Sequence, residues 1–244
     1  MQKNIVIAGG GYTGVLAAKK LWKKLKKHDV KITLIDRNPY HTMLTELHEV
    51  AAGRVEPSSI LIPFDKIFRG RGVDVVMDTV LSVNSLSKTV KCENSEYNYD
   101  YLILCTGSRP KYYGIPGAKE HGFGLWSFDD ALKIKKHIHE CFYKAAHTAD
   151  KNERSRQLCF IIAGAAATGV EMAGELAEYI PSLCHEYNVD ESDTSVYCVD
   201  AAGRAVTAMP EKCAERLEKR LKKLGVKTIF NFYVNEVRST GIKI

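Results

Sequence analysis

Residues 4–25 hold the feature that most restricts what this 244-residue chain can fold into. Asn4-Ile5-Val6-Ile7-Ala8 is a short apolar run, suited to a strand buried on both faces of a parallel sheet. It stops at Gly9-Gly10-Gly11, and apolar residues then return at helical spacing as Val15, Leu16, Ala18, Leu21 and Leu25. Gly9, Gly11 and Gly14 therefore spell G-x-G-x-x-G at a strand-to-helix turn. In such a turn the first glycine makes the tight bend. The second lets a pyrophosphate reach the backbone, and the third lets helix and strand pack closely. The helix start then offers free N–H groups to phosphate oxygens.

A second apolar run, Val30 to Ile35, ends at Asp36, 22 positions after Gly14. That is where a carboxylate accepts hydrogen bonds from a ribose diol. The competing reading is a glycine-rich turn in another α/β protein, with Asp36 merely solvated. Arg37 beside it suits an adenine or phosphate contact, against a solvated arginine.

Composition narrows the class. A hydrophobic content of 45% and a charged content of 26% are ordinary for a globular protein. No run of 18 uncharged apolar residues exists, so no membrane span is expected, and a strand beginning by residue 4 leaves no room for a secretory signal. The seven cysteines form no C-x-x-C and no compact metal cluster, which reads as reduced thiols in a cytoplasmic chain and argues against a dithiol redox centre. His41 and His48 lack a matching carboxylate arrangement, and no metal is assigned to them. Lys19-Lys20 and Trp22-Lys23-Lys24-Leu25-Lys26-Lys27 concentrate the net charge of +6. This reads first as a solvated face with a lysine-rich helix end favoured by the dipole. A face attracting anionic lipid or nucleic acid is the alternative, and no nucleic-acid-binding motif accompanies it.

Further along, Met43 to Val50 is expected to be helical, and Ile60 to Ile67 a helix or turn. Residues 73–76 and 79–83 read as strands, 88–92 followed by 96–99 as a β-excursion with short turns, and 100–105 as the next buried strand. Thr106-Gly107-Ser108 follows, where Gly107 permits close approach to a ligand. Phe128 to about Ala149 is an amphipathic helix, and Lys151 to Arg156 is polar. A second unit of the same kind then opens. Leu158 to Ala163 is an apolar run, Gly164-Ala165-Ala166-Ala167-Thr168-Gly169 is its turn, Val170 to Ile180 is helix, and Thr194 to Val199 ends at Asp200. The 31 positions from Gly169 to Asp200 exceed the usual spacing, and Asn188 to Asp193 is expected to be a surface loop. A helix from Pro210 to Leu224 and strands at 226–230, 233–237 and 242–244 complete the chain. The expected fold is α/β: a Rossmann-like dinucleotide-binding domain over residues 1–115, then a second Rossmann-like domain over 116–244. Two such openings mean two dinucleotides, or one cofactor and the ghost of a second site, and two dinucleotides side by side suggest hydride passing from nicotinamide to flavin.

These residues resemble flavoproteins with paired FAD and NAD(P) domains, and most closely the type II NADH dehydrogenases, the non-pumping NADH:quinone oxidoreductases. The likeness is carried by Ile5 to Gly14, by Asp36-Arg37-Asn38-Pro39-Tyr40-His41, by Leu44 to Gly53 and by Thr106-Gly107-Ser108. It continues through Thr168 to Leu176, Pro210-Glu211-Lys212 and Lys223 to Val226. It implies a Rossmann-like FAD-binding domain over residues 1–115 followed by a Rossmann-like NAD(H)-binding domain over 116–244, with Gly9, Gly11 and Gly14 on the FAD pyrophosphate, Asp36 on the adenosine ribose, and Thr106 and Gly107 near the phosphate and ribityl portion. It places Gly164, Thr168 and Gly169 in the NADH turn. Asp200 would hold the NADH ribose, where its carboxylate disfavours a 2′-phosphate. Glu171 matches a glutamate near the nicotinamide–flavin contact that orients nicotinamide or relays protons. A first-turn carboxylate stabilised by the helix dipole is the competing reading. The resemblance further implies a quinone acceptor, peripheral contact with the inner face of the cell membrane and compatibility with a homodimer.

The chain departs from that family twice. Ala165-Ala166 stand where glycines are expected, and the Cβ of Ala166 occupies the position at which pyrophosphate touches the backbone. Family members also extend further, through a returning NAD-domain strand, a Gly-Asp flavin motif and an amphipathic anchor. Both domains are therefore expected to be incomplete at the C-terminus. Three readings result: an FAD-dependent NADH dehydrogenase passing electrons to a quinone, a degenerate or truncated homologue with a dinucleotide-binding or interaction role, or another NAD(P)H-dependent flavoprotein reductase.

Overall fold

A computed structural model describes residues 2–244, and these divide into two compact units. The first holds the residues up to Met43 with Ser58–Arg109, and the second holds Leu44–Pro57 with Pro110–Ile244.

In the first unit, β1 (Lys3–Ala8) turns into α1 (Tyr12–Leu25), and β2 (Val30–Asp36) follows. An antiparallel pair, β3 (Tyr40–Thr42) and the later β4, brackets a chain segment whose helix α2 (Leu47–Ala51) packs within the second unit. β4 (Leu61–Pro63) leads directly into α3 (Phe64–Phe68), so the stretch expected to be helix or turn also supplies a strand. β5 (Asp74–Met77), the antiparallel excursion β6 (Val80–Asn84), β7 (Thr89–Cys92) and β8 (Glu96–Asn98), and β9 (Tyr101–Leu104) complete the unit. The main sheet is parallel with order β5-β2-β1-β9. β1 pairs with β2 from Lys3↔Val30 to Ala8↔Ile35 and with β9 up to Ala8↔Leu104. The carboxyl ends of the three strands therefore line up at one edge, with β1 at the point where chain order reverses. Ligands of open parallel sheets bind at such a point.

The period-2 alternation of β1 explains why the sheet is covered on both faces. Ile5 and Ile7 join Val15, Ala18, Phe64 and Phe68 on one side. Val6 joins Ile35, Val90 and Cys92 on the other, beneath the excursion. Burial on both faces is what the unbroken apolar run required.

In the second unit, α4 (Ala118–His121) precedes α5 (Phe128–Ala146), which opens on a reciprocal cap between Ser127 and Asp130. The polar stretch after it forms α6 (Lys151–Gln157), capped by Asp150. β10 (Cys159–Ala163), α7 (Ala167–Tyr187), β11 (Ser195–Asp200), α8 (Glu211–Lys223) and β12 (Lys227–Phe230) make the parallel sheet β10-β11-β12. Among the described residues β10 pairs only with β11, whereas β1 is flanked on both sides. A hairpin of β13 (Glu236–Arg238) and β14 (Gly241–Lys243) follows.

Several expectations need correction. The strand expected to be buried at 100–105 is the edge strand β9, with Tyr101 and Leu104 each 61% exposed. The strand expected at 233–237 begins only at Glu236. α7 does not stop at Ile180 but runs through Pro181 to Tyr187. Burial of Ile180, Leu183 and Cys184 on the same helix outweighs the hydrogen bond that proline removes. The segment 188–193 is not simply a surface loop either, because Asp193 is 3% exposed. Its Oδ2 accepts the Arg154 Nε–H at 2.9 Å, and Arg154 also donates to the Thr148 and Ala149 carbonyls, which ties α6 to this turn.

Candidate functional site

The sharpest geometry lies where β1 meets α1. Gly9 adopts φ +105°, a conformation L side chains avoid, and a Cβ there would overlap the Cys105 carbonyl. A Cβ at Gly14 would overlap the Gly9 carbonyl oxygen, so helix and strand are in backbone contact. A Cβ at Gly10 would overlap the Phe64 ring. At Gly11, by contrast, an added Cβ meets nothing within 4 Å, and the space above the loop is open to a ligand. The α1 N-terminus has no side-chain cap and no acidic residue in its first turn. A helix start of this kind directs backbone N–H groups toward an anion.

Asp36, at the end of β2, braces this loop. Its Oδ2 accepts the Gly10 N–H at 2.6 Å and its Oδ1 accepts the Asn38 N–H at 2.8 Å. Each carboxylate oxygen keeps lone pairs for further donors such as ribose hydroxyls. His41 adds a support that sequence reasoning missed. Its Nδ1 lies 3.0 Å from the Gly10 carbonyl oxygen, which can only accept, so Nδ1 carries the proton. The imidazole is 6% exposed and packs edge-on to Tyr12 at 4.8 Å between ring centroids. No pattern in the chain could have announced this contact, since it depends on the β3–β4 pair folding back. Thr106 and Gly107 follow β9, with the Thr106 N 3.2 Å from where a Gly9 Cβ would lie. Gly107 has φ +74° and open space about it. Arg37 is exposed, one residue past Asp36.

The second unit repeats this construction. Gly164 adopts φ +104°, and a Cβ at Gly169 would overlap the Gly164 carbonyl oxygen. Asp200 Oδ2 accepts the Ala165 N–H at 2.6 Å and its Oδ1 accepts the Ala202 N–H at 2.7 Å. Gly9 N–H donates to Ile35 O at 2.8 Å, and Gly164 N–H donates to Val199 O at 2.7 Å. Where His41 supports the first loop, the Val206 N–H donates to Ala165 O at 2.8 Å in the second. Ala166 holds the N-cap position of α7 at φ −74°, ψ −178°, close to Gly11 at φ −70°, ψ −170°. The two loops share a backbone, and Ala166 alone adds a methyl group on the face that Gly11 leaves open. Thr168 is exposed in the first turn of α7, which also has no side-chain cap. Arg204 is folded onto the carbonyls of Thr207 and Met209 at 3.1 and 3.0 Å, so it is not extended toward a 2′-phosphate.

Glu171 sits in the second turn of α7, not the first, which removes the helix-dipole explanation offered for it. Its side chain is 49% exposed, and Oε2 lies 3.8 Å from Nδ1 of the largely buried His48. One turn on, Glu175 pairs with Arg54 from the segment that carries α2. Burial pushes the Cys198 thiol, on β11 behind the loop, up to about 11. Among the described residues no group of three metal-ligating side chains occurs, and no helix is long and apolar enough to cross a membrane.

Residues 3–244 match the family described as pyridine nucleotide-disulphide oxidoreductase. The chain is 31% identical over 225 residues to a type II NADH:quinone oxidoreductase from Staphylococcus haemolyticus, covering 92% of this chain and 56% of that protein. It is 32% identical to the enzyme of the same name from Staphylococcus epidermidis, with the same coverage. The chain thus spans about half the length of the curated relatives it matches. Among solved structures, NDH2 from Plasmodium falciparum in complex with NADH has a TM-score of 0.87 at 22% identity, covering 98% of this chain and 50% of that one. At that identity the likeness speaks to the fold.

Proposed function

The chain belongs to the pyridine nucleotide-disulphide oxidoreductase family, and from that premise we propose that it binds FAD on the first loop and NADH on the second and oxidises NADH, with a quinone as final acceptor. The observation that carries this reading is the duplicated loop: a glycine at positive φ, a helix start without a cap, and an aspartate that grips the loop through its Oδ2. Relatives named as type II NADH:quinone oxidoreductases support the direction of electron flow.

The first loop leaves room for the FAD pyrophosphate, because a Cβ built at Gly11 meets no protein atom within 4 Å. Gly9, Gly11 and Gly14 would hold the pyrophosphate and Asp36 the ribose. Thr106 and Gly107 would face the phosphate and ribityl portion, with Arg37 within a residue of the adenosine. When bound, FAD supplies the ring that accepts hydride, and the protein's task is orientation. In the second unit Gly164, Thr168 and Gly169 cradle NADH, and Asp200 excludes a 2′-phosphate by charge. Glu171 is assigned to the nicotinamide end. There it orients the ring or holds a proton, with His48 beside it to share that proton. We assign residues 1–115 to the FAD part and 116–244 to the NAD(H) part, the segment around α2 and residues 110–115 excepted, since both belong to the second unit.

Ala166 favours one competing reading, a chain that retains FAD but binds NADH too weakly to turn over. Anaerobic addition of NADH to the FAD-loaded protein separates the two. Loss of flavin absorbance is expected. Unchanged absorbance at about millimolar NADH with FAD still bound would leave the non-catalytic reading standing. A protein that gains no flavin absorbance on titration would remove both.

A further inference from the structure

Gly10, buried between the first two glycines of the motif, is held from three sides. Asp36 Oδ2 accepts its N–H at 2.6 Å, the His41 Nδ1–H donates to its carbonyl oxygen at 3.0 Å, and the Phe64 ring stands where its Cβ would be. The last two arrive together. His41 lies on β3 opposite Ile62 of β4, and Phe64 opens α3 directly after β4. The short strand pair therefore carries both a donor and a wall to one backbone residue.

The second loop meets the same need by other means. Asp200 holds the Ala165 N–H, and the Val206 N–H donates to the Ala165 carbonyl at 2.8 Å. Val206 is β-branched and 5% exposed, yet it adopts φ +42°, a strained conformation for such a residue. Strain of this kind persists where the surroundings impose it, and it gathers at ligand clamps. Two unrelated donors, a buried imidazole and a strained backbone N–H, thus grip the equivalent carbonyl. What they share is control of the peptide leading into the position that faces the ligand.

No cis peptide bond occurs among the described residues. In a trans peptide the C=O of one residue and the N–H of the next point in opposite directions. With the Gly10 carbonyl fixed on the buried imidazole, the Gly11 N–H is turned away from His41. We infer that His41 is a positioning residue for a pyrophosphate: it aims the Gly11 N–H at the anion and keeps the Gly10 carbonyl oxygen from facing it. The inference rests on the first loop taking FAD, and it adds the side chain that sets the polarity of that loop.

The test is FAD titration of the full chain by flavin fluorescence, followed by displacement of bound FAD with ADP and with adenosine, which lacks phosphate. His41→Leu keeps apolar packing against Tyr12 and removes the donor. It should weaken FAD and ADP about tenfold to a hundredfold, as expected for one charge-assisted hydrogen bond, and leave adenosine within about threefold. His41→Asn returns an N–H at the Nδ1 position and should restore FAD to within about threefold of the parent. His41→Gln reaches the Nε2 position instead and should resemble leucine. It replaces the leucine variant if far-UV circular dichroism shows that one unfolded. Equal FAD binding by the leucine variant, a parallel loss of ADP and adenosine, asparagine no better than leucine, or glutamine as good as asparagine would each overturn the inference. A parent that takes up no flavin removes the FAD reading and the inference together. A parent that binds FAD beside a leucine variant that binds it equally removes the inference alone.

Discussion

Replacing Ala166 by glycine removes one methyl group from the ligand face of the second loop and should change little else. The backbone does not resist, since Ala166 and Gly11 already share the same extended conformation. The folded state loses at most about 1 kcal/mol to the freedom of glycine. What changes is the approach of an anion to the free N–H groups at the start of α7. A phosphate kept away by Cβ forfeits one or two charge-assisted hydrogen bonds, each worth about 1.5–3 kcal/mol. Restoring the approach should tighten NADH about tenfold to a thousandfold. Titration calorimetry on the flavin-loaded protein measures this directly. Two controls isolate the cause. Ala165→Gly should not tighten NADH, because Ala165 is 2% exposed and its N–H already serves Asp200. Gly11→Ala should weaken FAD by a similar factor without unfolding the first unit, because its Cβ meets no protein atom. An unchanged NADH Kd in Ala166→Gly would refute the assignment of this face to phosphate.

Gly169→Ala should destabilise the second unit by about 1–3 kcal/mol or more, since its Cβ would overlap the Gly164 carbonyl and force helix from loop; a denaturant midpoint equal to the parent's would contradict that packing. In thiol labelling near pH 8, exposed Cys213 should react first. Cys184 and Cys198, whose thiols burial raises to about 11, should stay protected until the chain unfolds, and early labelling of either would show the core to be open. The Lys3 ammonium and the Asn4 N–H hold the Asp100 carboxyl below its ordinary value of 3.8. A lowered folded pKa contributes stability that is present above the unfolded pKa and lost as pH falls through the folded one. The melting-temperature deficit of Asp100→Asn should therefore appear near neutrality and shrink in acid, and a deficit independent of pH would count against the pair.

The parts of the fold that could be read from the chain are those set by short-range pattern. The apolar run at 4–8 became β1, buried on both faces of its sheet, and the run at 158–163 became β10, an edge strand whose side chains stay partly exposed, Ile161 by 37%. Asp36 and Asp200 ended the next strands where a brace for the loop is needed. The parts that could not be read depend on what a segment meets after folding. Nothing local assigns Leu44–Pro57 to the second unit, because its partners are distant in the chain, Glu175 lying 121 positions from Arg54. The continuation of α7 through Pro181 and the burial of Asp193 follow from tertiary packing that outweighs local preference. His41 looked idle for the same reason.

The duplicated loops show why fold and function separate at a single position. The backbone of each loop is set by three constraints: a glycine at positive φ, a glycine crossed by a carbonyl, and an aspartate accepting the intervening N–H. None of the three involves the residue at 11 or 166. Evolution could place alanine at 166 without disturbing a hydrogen bond of the fold, because the Cβ there points away from the protein. Only a bound anion would register the difference. A folding measurement on the Ala166 variants is therefore blind to the question, and ligand affinity is the quantity that decides it.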